Sequence, residues 1–204
     1  MFTILFFLIS IWFSYSTEAM QQPVQKRYNA RKTTALITLL NRYRLSLPLP
    51  KKEITALISA GADPSGKAES GFYRGCTWLD GLLMSGDPME NENLITFLIQ
   101  RGTVLNDWVS LSPLQKACIN GQIKIVKLLI AYGAQVNAKN YVGNSALMFA
   151  VAENHPVIVR TLLENGAADV MNDQNTQGQS PLSWAQARKI KLASIVTLLE
   201  SHKK

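Results

Sequence analysis

Ser112-Pro113-Leu114-Gln115-Lys116-Ala117 is matched 33 residues later by Ser145-Ala146-Leu147-Met148-Phe149-Ala150, and 35 residues after that by Ser180-Pro181-Leu182-Ser183-Trp184-Ala185. Self-similarity at such a period marks an array of supersecondary units, each able to bury its apolar face only against its neighbours. The clearest unit runs from Asp107 to Ala138. Ser112 can cap a helix by accepting backbone N–H bonds, and Pro113 sits in the first turn, where no N–H bond is lost. Gly121 and Gly133 suit the left-handed or tight conformations at helix ends. Between them Ile123, Ile125, Val126, Leu128 and Leu129 form the apolar stripe of a second helix. Each unit therefore reads as helix, turn, helix and an extended finger.

Residues 140–172 keep Gly143, Ser145, Leu147, Ala150, Val159, Leu162, Leu163 and Gly166-Ala167, with Ala168 one residue too many before Asp169. That insertion should distort the finger locally. The last unit, roughly 175–202, has Gly178, Ser180-Pro181-Leu182, Ala185, Ile195, Val196, Leu198 and Leu199, and its polar end, Glu200 to Lys204, suits a terminal cap. Upstream, Thr77-Trp78-Leu79-Asp80 takes the turn position and Leu94, Phe97, Leu98, Ile99 and Gly102 the second helix, separated by an overlong segment, Ser85 to Asn91, expected to be a loop. Before it, Ala35 to Leu40 and Ile54, Leu57 and Ile58 ending in Gly61-Ala62-Asp63-Pro64 read as a further helical pair.

This punctuation resembles the ankyrin repeat, whose turn reads Thr-Pro-Leu-His followed by a variable residue and Ala. The resemblance covers roughly residues 33–202 and is strongest from 107 onward. It implies an all-α solenoid of about five helix-turn-helix repeats, the first two degenerate, occupying residues 33–204. Where the family has His in the turn, this chain has Asp80, Gln115, Met148 and Ser183. Loss of the imidazole implies softer turns, without the family's hydrogen bonds between neighbours.

Charge is concentrated at the front. Between residues 20 and 52, Lys26, Arg27, Arg31, Lys32, Arg42, Arg44, Lys51 and Lys52 meet no acid, giving +8, whereas residues 53–204 sum to zero and the whole chain to +7. Residues 20–32 are a basic leader. It is read either as a solvated segment or as a patch that docks an acidic protein or an anionic membrane surface. Nucleic acid is disfavoured as a partner, because no aromatic interleaving or recognition motif accompanies the charge. Ahead of the leader, residues 2–13 are apolar, and Thr17-Glu18-Ala19 offers a cleavage site after Ala19. Residues 1–19 thus read as a signal peptide, although no Lys or Arg precedes Lys26. The alternative is an uncleaved anchor, for which the run is short of the roughly 20 residues needed to span a bilayer.

Two cysteines in an exported chain raise the question of a disulfide. Cys76 falls just before the capping Thr77 of one repeat, and Cys118 two turns into the first helix of the next. Six helical residues separate them by roughly 9 Å along the axis, stacked helices by roughly 10 Å more, and a bridge needs Cα atoms within about 7 Å. Both are expected free, Cys118 as a buried apolar residue.

No triad context and no His/Cys cluster with metal-ligand spacing is present, and no cofactor is expected. His155 aligns with the family position that opens the second helix and reads as structural; His202 lies in the tail. The first tip position of successive turns is Tyr73, Trp108, Tyr141 and Thr176. Three consecutive aromatics spaced roughly 10 Å apart would line one ridge beside the concave face on which the family holds partners. Aromatics with a polar handle suit binding hot spots. The candidate contact set is Tyr73, Arg74, Trp108, Val109, Tyr141, Val142, Asn144 and Gln177, joined by the basic residues Lys26, Arg27, Arg31, Lys32, Arg42 and Arg44. The competing reading packs the tips on one another or on the loop at 85–91. Phe149 and Trp184, in register after the turn position, read as core.

A signal, a basic leader and about five repeats together resemble exported ankyrin-repeat proteins of bacteria, among them the immunity proteins of type VI secretion phospholipase effectors. That resemblance implies a periplasmic, non-enzymatic protein that occludes a toxin with an acidic contact patch. Two other readings remain open: a periplasmic helper of an oxidative-stress enzyme such as catalase, and a translocated effector that binds host proteins. Met20, directly after the cleavage site, would allow a second, cytosolic form; coincidence explains its place equally.

Overall fold

The computed structural model describes residues 28–42, 50–69, 74–84, 91–106, 111–187 and 193–202, with the side chain of Arg42 left out. The expected signal segment, most of the leader and residues 85–90 of the expected loop lie outside the described residues. Ten α-helices occur among them: α1 (Ala30–Arg42), α2 (Lys51–Ser59), α3 (Trp78–Met84), α4 (Glu92–Gln100), α5 (Pro113–Ile119), α6 (Ile123–Ala131), α7 (Ala146–Ala152), α8 (Pro156–Glu164), α9 (Pro181–Ala187) and α10 (Ala193–Ser201). No strand accompanies them in the described residues, where the extended fingers contribute two isolated bridges, Ala68 with Arg74 and Lys139 with Ser145.

The helices form five successive pairs stacked in two layers. First helices pack on first helices, α3 on α5, α5 on α7 and α7 on α9, while second helices form a parallel row of α2, α4, α6, α8 and α10. From α3 onward every first helix has seven residues and every second helix nine. Lengths that short cannot sustain isolated helices in water; packing holds them. One continuous core runs from Leu36 and Leu40 through Leu98, Val126, Leu129, Val159 and Leu162 to Ile195 and Leu199. Each fully buried aliphatic side chain in it contributes about 1.5–3 kcal/mol by leaving water.

The first pair joins this core through a side chain. Trp78, fully buried, sits where the family has proline and donates its indole N–H to the carbonyl of Leu36 at 3.0 Å, tying α3 to α1. Helix α1 is capped by Asn29, whose Oδ1 accepts from the backbone N–H of Lys32. Arg31 and Lys32 therefore stand in the first turn of the array rather than ahead of it.

The turns are better held than the missing histidines suggest. Ser112 and Gln115 form a reciprocal capping box, as do Thr77 with Asp80 and Ser180 with Ser183. Residues in place of the imidazole thus reach back to the cap, satisfying N–H groups that a helix start leaves open. Two of them also bond the following repeat: Gln115 through its amide and Asp80 through an ion pair to Lys116. The expectation of weakened turns survives only at Met148, which is buried and whose thioether accepts only weakly, leaving α7 with the one-sided cap of Ser145.

Gly121 and Gly133 take left-handed conformations, φ 71° and 85°. At Gly121 space adds to geometry: a Cβ there would lie 2.8 Å from the ring of His155. That ring sits at the start of α8 with Nε2 3.4 Å from the Ile119 carbonyl, a structural role joining two repeats. The extra residue at Ala168 is absorbed by a 3-10 turn, Ala167–Val170, in place of a regular finger. Phe149 and Trp184 are half-buried and pack against the core, as expected.

Candidate functional site

Two neighbouring fingers end in nearly identical turns. In the first, Asn140 Oδ1 accepts from the backbone N–H groups of Val142 (3.2 Å) and Asn144 (2.9 Å), while Asn140 N–H donates to the Asn144 carbonyl. In the second, Asn175 Oδ1 accepts from Gln177 (2.9 Å) and Gln179 (3.0 Å). A short amide side chain that bonds its own backbone two and four residues on fixes a turn without help from its surroundings. Gly143, at φ 83°, lets the tips approach; a Cβ there would meet the Asn175 Cα at 3.0 Å. The contact is sealed by Thr176 N–H donating to the Val142 carbonyl at 3.0 Å and by Asn175 Nδ2 donating to Asn144 Oδ1 at 2.8 Å.

Gln115 anchors the first tip from below. It is fully buried, and its Nε2 donates to the carbonyls of Ala138 (3.1 Å) and Asn144 (3.0 Å) while its Oε1 accepts from Ser112 N–H. A buried amide must find such partners or lose about 1–3 kcal/mol. Here it finds them across the repeat boundary.

On this framework Tyr141 stands 82% exposed. Its ring is therefore offered to solvent, and the reading in which the tips pack on one another does not hold for this residue. Val142 and Asn144 are half-buried, their carbonyl and amide groups engaged in the link between tips, and Thr176 and Gln177 are exposed beside them. Arg74 is exposed in the equivalent region of an earlier finger, where it bridges Ala68. Tyr73, Trp108 and Val109 lie outside the described residues, so the ridge is observed at its Tyr141 and Thr176 members.

Of the basic residues, Lys26, Arg27, Arg44 and the side chain of Arg42 also lie outside. Arg31 is exposed. Lys32 is not free for a partner in the way its charge suggested: its Nζ donates to the Ala60 carbonyl at 2.7 Å, satisfying the end of α2 and favoured there by the helix dipole.

Sequence reasoning missed the most buried charges. Lys116 and Asp80, 8% and 5% exposed, form an ion pair at 2.5 Å between α5 and α3, and Asp80 also accepts from the N–H and hydroxyl of Thr77. The available signal was an Asp in the turn of one repeat and a Lys one register position further in the next. Both cysteines are free. Burial pushes the Cys118 thiol strongly up from its usual value, and burial, aided by the Asp80 charge, raises Cys76 more modestly. Neither thiol is thereby activated. Among the described residues no group of three or more His, Cys, Asp or Glu side chains could hold a metal ion, and no helix is long and apolar enough to cross a membrane.

Among the described residues, solvent-facing tips on a stacked scaffold present side chains for contact. Residues 84–174 match the family model for ankyrin repeats, three copies. The chain is 31% identical over 141 residues to the B-cell lymphoma 3 protein homolog of Mus musculus, covering 67% of this chain and 30% of that protein. It is 36% identical over 64 residues to protein phosphatase 1 regulatory subunit 27 of Homo sapiens, covering 31% of this chain and 42% of that one. A 52-residue stretch is 48% identical to the E3 ubiquitin-protein ligase XBAT33 of Arabidopsis thaliana, 26% of this chain but 10% of the ligase. The chain thus spans less than half the length of each of these relatives. It belongs to the ankyrin-repeat family, and its repeats form a module for binding other proteins.

Proposed function

We infer that this module works outside the bacterial cytoplasm as an immunity protein, occluding a secreted antibacterial effector of the phospholipase type. One observation carries the reading: an aromatic ring that is 82% exposed on a tip held by its own backbone and by the next repeat. A preorganised surface of this kind loses little conformational entropy on binding, and stoichiometric occlusion asks nothing more of a protein. The apolar run at 2–13, the Thr17-Glu18-Ala19 site and the eight basic residues with no acid within residues 20–52 support export and an acidic partner patch.

Competition between siblings tests it. A strain lacking the chain should be killed or lysed by siblings that deliver the cognate effector, and the exported form should restore survival. Survival of the deletion strain against every sibling-delivered toxin would refute the assignment.

A further inference from the structure

We propose that residues 140–144 and 175–179 act as one uncharged reading edge, with Asn175 the positioning residue that couples the two tips, and that this edge fits a neutral segment of the partner protein carrying an apolar or aromatic side chain against Tyr141. The inference rests on the protein-binding reading of the same site and extends it to the partner's chemistry.

Two observations carry it. The first is that Asn175 bonds in two directions: its Oδ1 closes its own turn on Gln177 and Gln179, and its Nδ2 reaches Asn144 Oδ1 in the other tip at 2.8 Å. With Thr176 N–H on the Val142 carbonyl and no room for a Cβ between Gly143 and Asn175, a shift of one tip away from the other breaks bonds between them. Gln115 holds the same unit from beneath. The second is charge. Residues 140–145 and 174–186 contain no ionisable side chain apart from the Tyr141 phenol. The flanking Lys139 and Asp173 are paired at 2.7 Å and cancel each other. An acidic or basic partner surface pressed onto this edge would surrender its hydration without finding an opposite charge, which is costly. A neutral segment gives up little and can exchange hydrogen bonds with the exposed Thr176 and Gln177 side chains. Steering by the basic front of the chain and reading by the tips are then separate tasks carried by different residues.

Asn175→Asp separates the two bonds of the positioning residue in the full chain, because a carboxylate keeps the Oδ1 acceptor and loses the Nδ2 donor. Hydrogen exchange resolved by residue should find the Asn144 and Val142 amides about tenfold faster, the Gln177 and Gln179 amides still protected, and those of α6 unchanged. Acceleration confined to 175–179, or none in either tip, would overturn the coupling. For the partner chemistry, a random peptide library displayed on phage is panned on the wild-type chain with counter-selection on Tyr141→Ala. Retained peptides should be uncharged around an aromatic or aliphatic residue and should bind Asn175→Asp at least about tenfold more weakly. Tyr141-dependent peptides rich in Asp or Glu, or the absence of Tyr141-dependent peptides, would overturn it. Neither readout uses an effector toxin, so failure of the immunity reading would leave both standing.

Discussion

Replacing Asp80 by Ala should unfold this protein more readily than any change on its surface. The carboxylate makes three buried bonds at once: to the N–H and the hydroxyl of Thr77, and to the ammonium of Lys116 in the next repeat. With both charges more than nine-tenths buried, deleting one leaves the other uncompensated in the interior, a loss of about 3–5 kcal/mol. Loss of the cap adds about 1 kcal/mol. For a chain of this length 1 kcal/mol corresponds to roughly 2–4 °C, so Tm should fall by on the order of 10–20 °C. Urea titrations followed by circular dichroism supply the controls. Asp80→Asn keeps an acceptor for Thr77 and should forfeit the ionic part alone. Lys116→Met keeps the apolar stem, and combined with Asp80→Asn it should recover most of the stability lost by Asp80→Asn, because the stranded ammonium is gone. If the two single changes add without coupling, Asp80 and Lys116 do not act as a buried pair and the argument fails.

Tyr141→Ala should weaken the partner complex by about 2 kcal/mol, roughly thirtyfold in Kd, while leaving the urea midpoint unchanged, since the ring buries almost nothing in the free chain; equal affinities by calorimetry would return the residue to ordinary surface. Gly121→Ala should cost more than a typical left-handed glycine replacement, on the order of 2 kcal/mol, because strain at positive φ meets the His155 ring, and adding His155→Ala should restore part of it; full additivity in denaturation would contradict the clash. Both thiols have folded pKa values raised above the ordinary 9.0, Cys118 more than Cys76, so they favour the folded state while protonated. Their contribution is complete below pH 9 and is lost as pH rises toward the folded values, for the buried Cys118 by up to about 1.4 kcal/mol per pH unit and for the partly exposed Cys76 by less, because solvent screens it. Cys118→Ala should flatten the alkaline fall of the urea midpoint, and an unchanged slope would show that burial does not control that thiol.

The array was legible because its signals are local and repeated. Ser112, Pro113, Gly121 and Gly133 each mark a helix end by a conformational preference that acts within a few residues, and three such units in register leave little freedom for another architecture. The extra residue at Ala168 was legible for the same reason, and it became the 3-10 turn Ala167–Val170. What escaped was pairing between repeats. The loss of the turn histidine was read as a loss of bonds, yet Gln115 bridges to residues 23 and 29 positions away and Asp80 to one 36 positions away. A residue's identity states which bonds it can make, while stacking decides which groups come within reach. Tyr141 was found from its place at a tip; the bonds of Asn144 and Asn175 that fix that tip depend on the distance between fingers, which a repeat length alone does not give.

The central claim is that a partner is held on the two coupled tips. Hydrogen exchange of the full chain, alone and saturated with the effector proposed as its partner, tests that most directly. Protection on binding should appear at residues 140–144 and 175–179 and leave the amides of α6, α8 and α10 as they were. Protection confined to those second helices, with the tips exchanging as in the free chain, would contradict the account.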